Sequence, residues 1–460
     1  MFNLNLNNFR SFKDQSFNFS KINILIGENS GGKSSLLKFL LALKQTVDNP
    51  QESNLKLIGD YTDLGNYDEV IYNKVSDNLL SFKFSNNTTY PDFFLKTCNN
   101  QEGITEEKSA IIKNTIKPYT ENETKIEFTL SNKLNDHSSI KTIISNEALG
   151  DLEIIQTDEK HDDSHREFTC TIKLNFNFYQ GELNNVTAYK EGFFTYVSDI
   201  KEKIKENVDE ENFEKVYYSM AYLLLMQNFT NQEIDKIRFV NPIGNNPKRF
   251  YFQEDKKSSY KLIDIEKFIN ILGDKNLTNK EQKERVDLIN KTINEFGIAE
   301  EIKVIKEKNI PVLTLAVKTK GYWSNITDVG YGVSLQIPIL FQALLSENYT
   351  RGGQTILIEQ PEVHLHPSLQ AKFIETLLGI GKKNSYFIET HSEHILRKLQ
   401  VLVKNEVNGL KPDDISIYYF KREEDKFDIT EHKILSSGKL SKPFPDGFFD
   451  TSYNLVKELF

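Results

Sequence analysis

A glycine-rich stretch near the amino end carries the residues best suited to chemistry. It reads Gly-Glu-Asn-Ser-Gly-Gly-Lys-Ser-Ser over residues 27–35. A glycine, four further residues and then Gly-Lys-Ser form the spacing of a phosphate-binding P-loop. In such a loop backbone N–H groups surround phosphate oxygens, Lys33 reaches the β- and γ-phosphates, and the Ser34 hydroxyl can ligate Mg²⁺. The spacing therefore predicts that the chain binds a nucleoside triphosphate together with Mg²⁺.

The segments that flank this loop have the patterns that a P-loop requires. An apolar, β-branched run at 22–26 predicts a buried strand, and the apolar pattern after the loop predicts a helix that Asn49 and Pro50 end. The helix would direct the positive end of its dipole at the bound phosphates. The residues that we expect to hold the nucleotide from this loop are Gly27, Asn29, Ser30, Gly31, Gly32, Lys33, Ser34 and Ser35.

The composition is that of a folded chain with more than one domain. The 460 residues are 38% hydrophobic and 27% charged, and this length accommodates two or three domains. A net charge of −9 argues against a surface coated for nucleic acid, although a local basic patch is compatible with it. No run approaches the length of a membrane span, no signal peptide is recognisable, and the two cysteines lack metal or redox spacing. We therefore expect a cytoplasmic protein.

A second carboxylate motif lies far along the chain. Residues 355–359 read Thr-Ile-Leu-Ile-Glu, a buried-strand pattern that ends in an acid. Mg²⁺ prefers hard oxygen ligands and keeps several waters, so one carboxylate at a strand tip beside Ser34 is sufficient to complete its protein ligands. We expect Glu359 to be that ligand, with Ser34 as the other.

Four motifs together resemble the ABC-type ATPases of the RecF and OLD (overcoming lysogenization defect) group. They are the P-loop, Asp-Val-Gly-Tyr-Gly-Val-Ser at 328–334, Ile-Glu-Gln-Pro-Glu-Val-His-Leu-His-Pro at 358–367, and Ile-Glu-Thr-His-Ser at 388–392. The chain most resembles the bacterial branch that ends in a segment like Phe-Pro-Asp-Gly-Phe-Phe-Asp at 444–450. The resemblance implies an α/β fold, namely an ABC-type P-loop ATPase head that is split by a long α+β insertion.

The resemblance and the change in sequence character together give the expected domain boundaries. Residues 1–88 would form the amino-terminal lobe of the head, 89–299 an α+β insertion, 300–435 the carboxyl-terminal lobe, and 436–460 an element packed on the head. No heptad pattern lasts long enough for an extended coiled coil in the insertion.

The same resemblance implies that two heads share ATP, in a homodimer or a higher oligomer. Gly332 and Ser334 of one copy would cover the γ-phosphate held by the P-loop of the other. A backbone N–H and a hydroxyl at a helix start are suited to stabilising that charge. His391 would be the switch histidine that donates to the γ-phosphate or to the attacking water.

One departure from the wider ABC pattern concerns the catalytic carboxylate. The usual Asp-Glu pair reads Glu359-Gln360 here, and glutamine can orient water but is no base. Because phosphoryl transfer depends mostly on positioning and charge stabilisation, we expect slow hydrolysis, with Glu362 as the nearest carboxylate that could compensate. The expected catalytic residues are Glu359, Gln360, Glu362 and His391.

Two simpler interpretations apply to the remaining candidate residues. The histidines at 364, 366, 391 and 394 could form a zinc cluster, but the order of the ATPase motifs explains them better. Glu389 and Glu393 are interpreted as structural or interface carboxylates.

Two hypotheses for the function remain open. In the first, ATP-driven dimerisation gates a separate effector, a nuclease or toxin from a neighbouring gene, as the resemblance to bacterial anti-phage defence ATPases implies. The sequence ends at Phe460, and we expect no Toprim nuclease domain after His391. In the second, the protein is a RecF-type repair ATPase that binds DNA. Membrane transport is not expected, because the sequence contains no membrane span.

Overall fold

The computed structural model describes most of the chain. The described residues are 2–49, 55–75, 78–86, 117, 119, 122–131, 139–161, 166–240, 246–253, 264–274, 278–307, 310–349, 352–422, 427–445, 448–449 and 457–458. By contacts the chain divides into two compact units, one made of Met1–Phe19 and Lys38–Asp235 and the other of Ser20–Leu37 and Lys236–Phe460.

The strands of the described residues, in chain order, are β1 (Asn3–Phe9), β2 (Phe12–Asn18), β3 (Ile22–Gly27), β4 (Leu80–Asn86), β5 (Thr124–Ser131), β6 (Ser139–Asn146), β7 (Gly150–His161), β8 (Arg166–Phe176), β9 (Tyr179–Glu191), β10 (Phe194–Val197), β11 (Ile237–Val240), β12 (Tyr251–Phe252), β13 (Glu301–Lys306), β14 (Val312–Thr319), β15 (Tyr322–Asn325), β16 (Thr355–Glu359), β17 (Ser385–Glu389), β18 (Ile415–Arg422) and β19 (Phe427–His432).

The α-helices of the described residues are α1 (Lys33–Asp48), α2 (Tyr67–Val70), α3 (Ile200–Asn207), α4 (Glu210–Asp235), α5 (Ile265–Leu272), α6 (Asn279–Phe296), α7 (Tyr331–Tyr349), α8 (Pro367–Ile380) and α9 (Glu393–Lys404). Short 3₁₀ helices cover Tyr72–Lys74, Ile326–Asp328, Val407–Gly409 and Pro412–Asp414.

A mainly parallel sheet forms the centre of the second unit. Its strand order is β11-β16-β17-β3-β18-β19, and only the pairing of β18 with β19 is antiparallel. All six residues of β3 are buried, as a parallel strand covered on both faces requires. Ile24, Ile358 and Ile388 belong to one apolar cluster with buried residues of α7, α8 and α9. These helices therefore hold the strand ends that carry the motifs.

The first unit is built around an antiparallel sheet. Within the described residues its order is β10-β9-β8-β7-β6-β5-β4-β1-β2. In β5 the buried residues Ile126, Phe128 and Leu130 alternate with more exposed ones, the period of two that leaves one face of a sheet for the core. The helix α4 packs against β5, β6 and β10, and its buried residues recur every three to four positions, which gives it one apolar face.

The described part of the carboxyl-terminal segment packs its aromatic rings on the edge of the parallel sheet. The Phe448 ring lies 4.9 Å from that of Tyr419 in β18, and the Phe444 ring lies 4.6 Å from that of His432 in β19. The rings of Phe448 and Phe449 are 4.3 Å apart. Gly447 and Asp450, which belong to the same segment in the sequence analysis, lie outside the described residues.

The α/β class expected from the sequence is confirmed. The predicted insertion at 89–299 contributes strands β5–β10 to the first unit, whereas β11, from the same segment, pairs with β16 in the second. The four predicted domain ranges stay predictions. In the described part of the chain no helix combines the length and apolar character needed to cross a membrane.

Candidate nucleotide site

The P-loop follows β3 directly and leads into α1. Gly27 has a φ of 134°, and a Cβ at this position would lie 2.0 Å from the carbonyl oxygen of Phe420 in β18. Only glycine fits this close approach between two backbones. The amide of Glu28 donates to the same carbonyl at 3.0 Å, so β18 fixes the start of the loop.

Lys33 is almost entirely buried, with 3% of its surface exposed. Its Nζ donates to the carbonyl oxygens of Gly27 at 3.0 Å and Glu28 at 2.6 Å. Burial lowers the pKa of Lys33, and the carboxylates of Glu389 and Glu28 oppose that shift. The ammonium group therefore lies against the loop that the sequence analysis assigned to the phosphates, and it can exchange carbonyl partners for phosphate oxygens.

The carboxylate that meets Ser34 is Glu389. Ser34 Oγ donates to Glu389 Oε1 at 3.0 Å, and Glu389 is only 4% exposed. Glu359, the acid expected at this place, ends β16 and is the register partner of Glu389 in β17. In-register residues of neighbouring parallel strands project to the same face, so the structure brings both acids to one edge of the sheet.

Backbone hydrogen bonds fix the ends of these strands. The amide of Gln360 donates to the carbonyl of Glu389 at 2.7 Å, and that of Thr390 donates to Leu25 in β3 at 3.0 Å. Gln360 adopts a φ of 43°, in the left-handed region that non-glycine residues rarely occupy. The chain therefore turns sharply at Gln360, immediately after the strand that ends in Glu359.

Glu362 joins the loop after β16 to the loop after β17. Its carboxylate accepts from Thr390 Oγ1 at 2.7 Å and from the backbone N–H of His391 at 2.7 Å. Burial raises the pKa of Glu362, and the two hydrogen bonds oppose that shift. Because both oxygens already accept hydrogen bonds, this carboxylate positions His391 in the described arrangement.

His391 lies two residues beyond Glu389, on the loop that leads into α9. Partial desolvation of its ring lowers the pKa of His391, and the positive charge of Lys33 lowers it further. Both effects favour the neutral imidazole over the charged one, and a neutral ring offers one N–H donor. Ser392 caps α9 by accepting from the Ile395 amide, which orients the start of that helix.

The segment Asp-Val-Gly-Tyr-Gly-Val-Ser at 328–334, here called the signature segment, leads into α7. Gly332 is packed so closely that a Cβ there would lie 2.7 Å from the carbonyl oxygen of His364, and the rings of Tyr331 and His364 are 5.0 Å apart. Ser334 is 3% exposed, and its hydroxyl donates to the Tyr331 carbonyl at 2.7 Å. Gln336 Nε2 donates to the Pro361 carbonyl at 2.7 Å. Through these contacts the start of α7 is tied to the loop after β16.

The loop residues Asn29 and Ser30 are exposed, and Gly31 is buried. Ser30 and Gly32 have positive φ values of 60° and 101°, and Ser35 lies in the first turn of α1. His366 caps α8 by accepting from the Ser368 amide. Among the residues that the structure describes, no group of three or more His, Cys, Asp or Glu side chains is arranged to hold a metal ion.

The donor set around Ser34 fits a Mg²⁺ ion that is also bound by phosphate. It consists of one hydroxyl and two carboxylates, all hard oxygen donors. The sequence analysis missed Glu389 as part of this set. The signal that could have found it is its place at the end of an apolar strand, which matches the place of Glu359.

Comparison with known protein families assigns the chain to a family. The AAA ATPase domain family (AAA_15) matches residues 1–396, and the chain belongs to it. A second family, described as a protein of unknown function (DUF3696), matches residues 410–459. No curated protein sequence matches the chain.

Several solved structures of SMC head domains are similar to the chain at low sequence identity. An SmcHead bound to the C-winged helix domain of ScpA is 11% identical, with a TM-score of 0.42 over 94% of this chain and 98% of that one. The SMC head domain from Thermotoga maritima is 9% identical, with a TM-score of 0.36 over 93% and 97%. An Smc head domain with an extended coiled coil, bound to the C-terminal domain of ScpA derived from Pyrococcus furiosus, is 10% identical, with a TM-score of 0.38 over 100% of both chains.

Proposed function

We propose that the chain is a Mg²⁺-dependent ATPase that hydrolyses ATP slowly and whose ATP-bound dimer controls a separate effector protein. The observation that carries this proposal is the hydrogen bond between Ser34 and Glu389. It links the P-loop to the edge of the sheet where Glu359 and His391 also lie. Membership of the AAA ATPase domain family supports the nucleotide-binding part of the proposal.

Each residue of the site has a task in phosphoryl transfer. Backbone N–H groups of the loop and the start of α1 bind the phosphates. Lys33 would offset the charge on the γ-phosphate, and Ser34 and Glu359 would hold Mg²⁺, which would supply positive charge against the phosphates. His391 donates one hydrogen bond to the γ-phosphate or to the attacking water. Most of the catalysis is then positioning and charge stabilisation.

Slow turnover follows from the side chain after Glu359. Gln360 can orient the attacking water but cannot take its proton. Glu362 already accepts hydrogen bonds from Thr390 and His391, and this supports a role for it in holding the His391 loop. An ATP-bound state that is hydrolysed slowly would persist long enough to act as a signal.

The proposed dimer places α7 of one copy over the ATP of the other. The backbone at Gly332 and the amino end of α7, a helix of 19 residues, would offer N–H groups to the γ-phosphate. Ser334 would join them only by releasing its present bond to the Tyr331 carbonyl. ATP binding would therefore be coupled to a small rearrangement at the start of this helix.

The proposed effector and the proposed role in anti-phage defence are based on the sequence resemblance. The motifs are similar to those of bacterial anti-phage defence ATPases, which supports a role in sensing or gating a nuclease or toxin. The acidic net charge of −9 favours a protein partner over a DNA channel. ATPase activity that purified DNA stimulates severalfold would favour the RecF-type alternative.

The first experiment measures nucleotide binding and hydrolysis by the purified chain. Lys33→Ala should abolish measurable hydrolysis and weaken ATP binding at least about tenfold, because it removes the only ammonium group assigned to the γ-phosphate. Lys21→Ala is the matched control, since Lys21 is exposed and precedes β3 at its other end. Equal hydrolysis by wild type and Lys33→Ala, or no ATP binding by wild type, would contradict the proposal.

The second experiment tests the partner. The chain is co-purified with the product of its neighbouring gene, with and without ATP, as wild type and as Lys33→Ala. Capture or release that depends on ATP and is lost in the variant supports effector control. A partner that binds equally in all four conditions argues against control by ATP.

A further inference from the structure

We propose that Glu389 is a metal-binding residue of the nucleotide site, a second carboxylate that holds Mg²⁺ beside Glu359. This inference rests on the proposed function, because Mg²⁺ enters the site with the nucleotide. It replaces the interpretation of Glu389 as a structural or interface carboxylate.

The P-loop serine contacts Glu389 directly. Ser34 Oγ donates to Glu389 Oε1 at 3.0 Å, and Ser34 itself is exposed. In P-loop ATPases this hydroxyl is the group that contacts the metal. A carboxylate oxygen within hydrogen-bond distance of it lies in the same small volume that the ion would occupy.

Two acids are paired at the same level of the parallel sheet. Glu359 and Glu389 are register partners in adjacent parallel strands, which are about 4.8 Å apart. Two carboxylates at neighbouring strand ends repel each other unless a positive charge lies between or beside them. Lys33 supplies one positive charge next to Glu389, and a divalent cation would offset the second carboxylate.

The backbone at the end of β17 does not need the Glu389 side chain. The end of β17 is already held by the bond from the Gln360 amide to the Glu389 carbonyl and by the bond from the Thr390 amide to Leu25. A purely structural side chain at this position would be apolar, as Ile388 is in the same strand, because burying a carboxylate costs free energy. A metal role accounts for the acid at 4% exposure.

The position also explains how the site tolerates Gln360. The sequence contains one carboxylate fewer at the end of β16 than the usual Asp-Glu pair, and the neighbouring strand supplies another at its own end. Glu389 restores the negative charge that attracts the ion, but it does not replace the group that orients the attacking water.

The test measures metal binding directly. Mn²⁺ is titrated into protein saturated with ADP, and free Mn²⁺ is counted by electron paramagnetic resonance. Glu389→Gln keeps the size of the side chain and its hydrogen bond with Ser34, but it removes the charge. We expect the dissociation constant of Mn²⁺ to rise about 10- to 100-fold. ADP affinity in EDTA should change by less than about threefold, because no metal takes part in that measurement.

Glu393→Gln is the matched control, because Glu393 begins α9 just after Glu389 in the chain and pairs with Arg397 at 3.0 Å. It should leave Mn²⁺ binding unchanged. Glu389→Asp retains the charge on a shorter side chain, and we expect it to bind Mn²⁺ more tightly than Glu389→Gln does. If the Gln variant does not fold, the Asp variant is compared with wild type, and a dissociation constant of Mn²⁺ equal to that of wild type would contradict the inference.

The outcomes separate this inference from the proposed function. If wild type binds ADP and Mn²⁺ and Glu389→Gln binds both equally well, Glu389 is not a metal-binding residue, and the ATPase proposal is untouched. If wild type binds no nucleotide in any condition, the proposed function fails, and the metal inference fails with it.

Discussion

At the scale of a single residue, Gln360 is the side chain on which the proposed slow hydrolysis depends. Its backbone is held by the Glu389 carbonyl, and its φ of 43° places the side chain on a sharp turn after Glu359. Glutamate can adopt the same backbone conformation at the same cost. The substitution Gln360→Glu therefore changes one variable, the side-chain group, from an amide to a carboxylate.

Gln360→Glu should raise the turnover number for ATP about tenfold or more, since a positioned general base contributes about 10²–10⁴-fold in rate. The measurement is steady-state phosphate release at saturating ATP. Affinity for ADP should stay within about threefold, because the change acts on the attacking water. An unchanged turnover number would show that hydrolysis is limited by a step other than attack on the phosphate.

Glu362 supports a second prediction at this scale. Glu362→Gln replaces one acceptor oxygen by an amide, which leaves Thr390 or His391 facing a second donor. The unfolding free energy should fall by about 1–2 kcal/mol. ATP turnover should fall as well, because the His391 loop loses a positioning contact.

The pH dependence of the same variant has a defined sign. Burial raises the pKa of Glu362 in the folded chain above its ordinary value of 4.5, so the folded state binds more protons than the unfolded state in the interval just above 4.5. Its contribution to stability is therefore complete below 4.5 and is lost as the pH rises through the raised pKa. Thermal unfolding of wild type and Glu362→Gln between pH 4 and 7 measures this, and parallel curves would contradict the assignment.

At the scale of elements, the start of α7 is tied to the loop after β16. Gly332 lies against the His364 carbonyl, whereas a Cβ at Gly330 would have nothing within 4 Å. The Gln336 amide adds a bond to Pro361. The two segments are therefore held against each other. A substitution in the signature segment should shift the loop beside Gln360.

Gly332→Ala and Gly330→Ala form a matched pair that tests this contact. The first places a methyl 2.7 Å from a backbone oxygen and should cost about 1–3 kcal/mol. The second should stay within about 0.5 kcal/mol of wild type. The apparent midpoint of thermal unfolding without nucleotide is the readout. Equal midpoints for the two variants would mean that the packing at Gly332 relaxes freely.

The sequence predicted the local parts of this site and missed a long-range one. The P-loop, the strand before it and the strand ending in Glu359 are each contained in a few consecutive residues, so spacing and apolar pattern are enough to find them. The contact between Ser34 and Glu389 joins residues 355 positions apart, and it depends on which strands pair side by side. The strand order β16-β17-β3 could not be derived from periodicity. The period of an apolar pattern indicates whether a segment is a strand or a helix, but it does not indicate which strands pair.

The orientation of the Ser334 side chain is a second feature that the sequence pattern could not predict. Its place near a helix start suggested a hydroxyl available to a neighbouring copy. The hydroxyl instead donates to the Tyr331 carbonyl, a local bond that serine commonly makes in the first turn of a helix. Sequence spacing gives the position of such a residue but not the direction of its side chain.

At the scale of the whole molecule, the proposal requires that ATP joins two copies. Light scattering after gel filtration should give the mass of one chain, 53.3 kDa, without nucleotide and twice that mass with Mg²⁺ and ATP. Lys33→Ala should remain at the single mass in both conditions. If the mass of wild type does not change with ATP, the proposal that two copies share the nucleotide is contradicted. ATP binding by a single chain is not contradicted by that result.

The contact between the P-loop and β18 has a kinetic consequence. Since the Phe420 carbonyl fixes Gly27 and Glu28 and aromatic rings of the terminal segment pack on the same strand, the loop is shaped when the chain folds. Nucleotide binding then does not include the entropy cost of ordering the P-loop. In stopped-flow mixing with a fluorescent ATP analogue, the observed rate should rise linearly with concentration, without the plateau that a slow loop closure would impose.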